Sequence, residues 1–168
     1  MATMQRLVVD SAVLDKEGAY TLQAAASEEK IFNIRIGKQS YPAASIINDA
    51  SSIELNIFFG PANTEFPDRY DVIGSEASKN LQQYMLRFNT QLQQAFELRR
   101  VADSIATLTG VRTAAQDSLL QVQTAQLGQK VDSLYAYTRS TLTGSKSPAL
   151  TMMVLGYYQN MAGNPAFG

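Results

Sequence analysis

Tyr70-Asp71-Val72-Ile73-Gly74-Ser75 is the stretch at which the chain changes its pattern. Before it, apolar residues alternate with a period near two, the repeat of a strand with one face buried. After it they recur every three or four residues as far as about Leu108, the repeat of an amphipathic helix. Tyr70 to Ile73 therefore reads as the last strand of a sheet and Gly74 as the turn. Ser75 reads as the N-cap, whose hydroxyl accepts an otherwise unpaired backbone N–H of the following helix.

Working back from that point, the sequence predicts five more short strands. Leu7 to Leu14 is β-branched and compact, Asp15-Lys16-Glu17-Gly18 makes a turn, and Ala19 to Ala24 returns, so the pair is expected to form a hairpin. Lys30 to Gly37 alternates Phe32, Ile34 and Ile36 against Asn33 and Arg35. Tyr41 to Asn48 is a strand with Pro42 at its start or on an edge, since proline cannot donate to a ladder. Ser52 to Phe59 carries Ile53, Leu55, Ile57 and Phe59 on one face, and a loop with two prolines leads to the last strand. About six strands at this spacing predict an antiparallel sheet or a small β-sandwich over residues 1–74.

Working forward, Leu81, Met85, Phe88, Leu92, Ala95, Ala102 and Ile105 form one apolar stripe on a helix of some thirty residues, about 45 Å long at 1.5 Å per residue. Gly110 breaks it. From Thr113 to Leu142 a second stripe runs through Leu120, Leu127, Val131, Leu134 and Leu142. The two are expected to pack as an antiparallel hairpin, with Phe88, Leu92, Leu127 and Val131 in the seam and glutamines such as Gln123 on the outer faces. Ser147-Pro148 starts a short third helix. The fold class expected is thus α+β: the sheet domain to residue 74, the helical hairpin and short helix over 75–162, and the start of a linker at 163–168.

Composition narrows the chemistry. The chain of 168 residues contains no cysteine and no histidine, which removes thiol exchange, disulfides, imidazole acid–base catalysis and the usual zinc ligand sets. A net charge of −1 gives no electrostatic footprint for nucleic acid. Residues 1–74 hold six Lys or Arg against ten Asp or Glu, while 75–142 hold seven against five, a mild asymmetry that suits a solvated surface. No run approaches the ~18 apolar residues of a membrane helix, and Met1-Ala2-Thr3-Met4 does not begin like a secretory signal.

Three groups of residues could carry a site. Glu65, Asp68 and Asp71 could form a carboxylate pair or cation site, although acids in loops mostly cap or solvate. Asp10-Ser11 interrupts an apolar run and could line a site, although side-chain hydrogen bonds to a neighbouring turn explain it more simply. Tyr157, Tyr158 and Met161 lie on a helix whose apolar residues surround most of it, so they are candidates for an interface as well as for core. No phosphate loop, nucleophile elbow or metal-ligand spacing is present, so these residues predict no catalysis and no cofactor.

The order Val9-Asp10-Ser11-Ala12, Lys16-Glu17-Gly18-Ala19-Tyr20, Ile46-Ile47-Asn48-Asp49 and Val72-Ile73-Gly74-Ser75 before a long helix resembles a known N-terminal domain of unknown function. That domain precedes the thioredoxin-like domain in exported thiol-disulfide oxidoreductases of Gram-negative bacteria. The resemblance implies a further strand upstream of Asp10-Ser11. It also implies a periplasmic or envelope-anchored protein whose signal peptide is not in this sequence, and a Cys-x-x-Cys domain that follows these residues. No catalytic residue is carried over. The implied work is to position the redox domain, to form a homodimer or to recognise a protein client. Two readings stand beside it: a free-standing envelope module that binds a peptide or glycan on the sheet's exposed face, and a cytoplasmic helical-hairpin adaptor.

Overall fold

The computed structural model describes residues 7–39, 41–61 and 67–164. Four short strands precede three helices: β1 (Ile31–Ile34), β2 (Ala44–Ile47), β3 (Glu54–Phe58), β4 (Arg69–Ile73), α1 (Glu76–Ala106), α2 (Ala114–Gly144) and α3 (Pro148–Ala162). β1 runs antiparallel to β2 with Ile31 opposite Ile47, and β3 antiparallel to β4 with Leu55 opposite Val72. The pairs form two separate two-stranded sheets.

This corrects the expected six-stranded sheet or sandwich. Neither Leu7–Leu14 nor Ala19–Ala24 is a strand. The turn between them does form: the Asp15 N–H donates to the Ala19 carbonyl at 3.0 Å, and Gly18 takes a φ of 79°. No ladder follows, because among the described residues nothing covers one face of the ribbon. Leu7 is 86% exposed and Val13 93%. β propensity becomes a strand only where side chains pack against a neighbouring surface, and a bare two-stranded ribbon is marginal in water.

The helices begin where local chemistry starts them. The Ser78 N–H donates to Ser75 Oγ at 2.9 Å, and the Leu150 N–H to Ser147 Oγ at 3.2 Å with Pro148 next in the chain. Thr113 and Gln116 make a reciprocal capping box. Three contacts fix α1 and α2 as an antiparallel pair: Tyr84 with Thr138, the Tyr137 hydroxyl with the Gln83 carbonyl, and Lys130 Nζ with Gln94 Oε1. In that register the buried Ala95 and Ala102 come to the level of Leu127 and Leu120, small side chains facing large ones.

The seam differs from the one expected. Phe88 is buried, but Leu92, Leu127 and Val131 are only half-buried, and the fully buried side chains of α2 are Leu134 and Thr138. They sit at the end of the hairpin that α3 also covers. Gln123 is not on an outer face; it is half-buried and lines a groove between the two helices.

One apolar cluster joins strands to helices. Ile47 of β2 packs with Ala77, Leu81, Tyr84 and Phe88 of α1, Leu134 of α2, and Leu150, Val154 and Met161 of α3. At its edge a buried hydroxyl network ties β2 to the first turn of α1. The Ile47 N–H donates to Ser78 Oγ at 2.8 Å, the Ser78 hydroxyl donates to the Ile47 carbonyl at 3.1 Å, and the Ser75 hydroxyl donates to Ser78 Oγ at 2.5 Å. Every proton and acceptor is used. Asp49 Oδ2 accepts the Ala77 N–H at 2.9 Å and so supplies a negative charge at the helix N-terminus.

Ser78→Ala should leave the Ile47 N–H buried without an acceptor and cost about 1 to 3 kcal/mol. Ser104→Ala removes only a bond to the Val101 carbonyl of its own helix, on an exposed face, and should cost under about 0.5 kcal/mol. Urea melts decide between them, and equal shifts would remove Ser78 from this role.

Candidate interaction surface

α3 carries no charged residue, and its burial is one-sided. Leu150, Val154 and Met161 point into the core. Tyr157 packs its ring on Phe88 at 4.9 Å and near Tyr84 at 6.2 Å, while Tyr158 meets Tyr135 edge-on at 5.6 Å. Of the three residues the sequence singled out, Met161 is therefore an interior side chain, 3% exposed, and the two tyrosines are half-buried. The outward apolar surface belongs instead to Met152, 69% exposed, and Leu155, 36% exposed, with Tyr158 one further turn along. The signal that could have found them is the i, i+3 spacing of 152, 155 and 158.

Beneath α3 the aromatic rings continue into the hairpin. Tyr84 stacks on Tyr137 at 5.6 Å, and the Arg87 guanidinium lies 4.2 Å from the Tyr137 ring centre, a cation–π contact. Tyr84 is buried, and its hydroxyl reaches Thr138 Oγ1 at 3.4 Å. Burial pushes its phenol up to about 12, against a partly compensating hydrogen bond with Thr138, with Tyr157 and Tyr137 adding to the rise. Burial also raises the phenol of Tyr70, against a smaller opposing effect of a hydrogen bond with the Ser45 backbone.

The other candidates are structural or apart. The Asp10 carboxylate accepts N–H groups from Gln23 and Ser11, both at 2.7 Å, and these hold it below the usual carboxylate range. It clips the two arms of the exposed ribbon together. Asp71 lies 4.0 Å from Arg69 in an exposed pair, Asp68 is exposed, and Glu65 falls outside the described residues. Among the described residues no three His, Cys, Asp or Glu side chains gather to hold a metal. None of their helices is long and apolar enough to cross a membrane.

Two of the depressions among the described residues lie along the hairpin. The larger, about 960 Å³, runs between α1 and α2 at the half nearer their connecting turn and is lined by five glutamines, with Leu98 and Val101 among the other residues. The smaller, about 240 Å³, lies by Tyr84, Tyr137, Thr141 and Leu150. Comparison with protein-family models, curated proteins and solved structures found no match to this chain.

The Tyr84 phenol gives a pH prediction. A group whose proton is held more tightly in the folded state stabilises that state fully below its unfolded value, near pH 10, and loses the contribution as pH rises through its folded value. Stability should therefore fall between about pH 10 and 12. Tyr84→Phe should flatten that part of the profile in chemical denaturation at stepped pH, and an unchanged slope would contradict the assignment.

Proposed function

We propose that the chain is a non-catalytic accessory domain of a periplasmic or envelope-anchored thioredoxin-like thiol-disulfide oxidoreductase, where it positions the redox domain, dimerises or meets a client. One observation carries the reading: two of the four segments on which the resemblance rests, residues 46–49 and 72–75, come together in space. Ile47 and Asp49, from one segment, bond Ser78 and Ala77, in the first turn of the helix that Ser75, from the other, caps. These motif residues do the work of a scaffold that holds strands to a helix. With no cysteine in the sequence, any thiolate must come from another part of the protein or from a partner. Met152 and Leu155 supply the apolar surface on which a redox domain or second copy would sit.

A second reading, an envelope module that binds a peptide or glycan by itself, is favoured by the glutamine-lined groove. The native reading frame, expressed whole, separates the two. The accessory reading expects a Cys-x-x-Cys domain after residue 168 and insulin reduction with dithiothreitol by the whole protein, while residues 1–168 alone match the protein-free blank. A frame that ends without such a domain, or reduction by residues 1–168 themselves, contradicts it.

A further inference from the structure

We propose that the groove between α1 and α2 binds an extended, uncharged stretch of polypeptide. The proposal is independent of the accessory reading, because it rests on the lining of the groove alone.

The length suits a short peptide. The lining runs from Thr90 to Val101 on α1 and from Gln123 to Ser133 on α2. At 1.5 Å per helical residue this is about 17 Å, and an extended chain at about 3.3 Å per residue fills it with about five residues. Both walls carry amides: Gln93 and Gln94 on one helix, and Gln123, Gln126 and Gln129 on the other. Each carboxamide offers an acceptor oxygen and two N–H donors. An extended backbone presents N–H and C=O groups to both sides, so two amide walls meet the same need that neighbouring strands meet in a sheet.

The charges of the lining are already engaged. Lys130 Nζ donates to Gln94 Oε1 at 2.9 Å, and Glu97 pairs with Arg100 at 2.9 Å. A charged ligand would have to displace one of these contacts, whereas a neutral one need not. Leu98 and Val101, both half-buried, give room for one aliphatic side chain. No aromatic ring lines the groove, which removes the stacking face that a nucleobase uses and leaves a peptide as the better match.

The test is a heteronuclear NMR titration that follows the glutamine side-chain NH₂ signals. The probes are acetylated, amidated hexapeptides carrying one Leu or Val among Ser, Asn and Gly, with maltohexaose as the sugar control. At least one peptide should give saturable shifts at Gln94, Gln123 and Gln126. The double variant Gln93→Ala, Gln126→Ala alters two exposed side chains of the lining that hold no contact between the helices named above. It should keep the wild-type melting temperature and weaken binding at least tenfold. Replacing the aliphatic residue of the peptide by Asp or Lys should weaken it as well. Absence of saturable shifts at millimolar peptide, unchanged affinity in the double variant, or saturable shifts with maltohexaose in place of the peptides would each overturn the proposal.

Discussion

The hydroxyl of Ser78 is where strands and helices become one structure. Two-stranded sheets have too little buried face to stand alone in water, and both sheets here are of that size. β2 escapes this because Ile47 is bonded at its N–H and its carbonyl to a side chain of α1 and lies wholly buried beneath it. The helix gains in turn: its first turn has N–H groups with no intrahelical partner, and Ser75 and Asp49 accept two of them. Each element satisfies groups that the other would leave bare.

The approach of β4 to α1 is built round the same point. Gly74 takes a φ of 90°, and a Cβ there would stand 2.9 Å from the Ser52 carbonyl oxygen, so both the backbone conformation and the space require glycine. Just beyond, the Gln82 side-chain amide donates to the Tyr70 carbonyl. That bond ties the second sheet to the helix, and Val72 is the sheet's one buried side chain. At the other end Glu29 Oε2 accepts the Ser147 hydroxyl at 2.6 Å, which anchors the start of α3 to the segment that leads into β1.

What could be read from the sequence was what is decided within a few residues. Ser75, Thr113 and Ser147 cap helices through bonds to backbone groups three positions on, and the starts of α1, α2 and α3 follow from that local chemistry. The run Leu7–Leu14 misled because β-branched composition reports a preference, not whether another surface arrives to bury one face. That arrival is a long-range event, as is the division into two sheets. On α3 the apolar pattern is nearly uniform, so the sequence could nominate Tyr157, Tyr158 and Met161 without telling inside from outside. The glutamines of α2 misled for a related reason. Its apolar stripe is thin, so the angle of the buried face is poorly defined, and Gln123 turned out beside the groove. The proposed roles share one feature: each rests on a surface that the core leaves exposed, Met152 and Leu155 on α3 or the amide walls of the hairpin.

Native-state hydrogen exchange at the Ile47 amide measures most directly whether strands and helices are locked together by Ser78. This N–H is held by a side chain of α1, so it is released only if strand and helix separate. The account predicts that Ile47 exchanges with the same opening free energy as Tyr84, in the middle of the core, because both open with the whole molecule. If Ile47 exchanges as fast as the exposed amides of Leu7 to Leu14 while Tyr84 stays protected, the strands come off the helices independently, and the Ser78 contact does not hold the fold together.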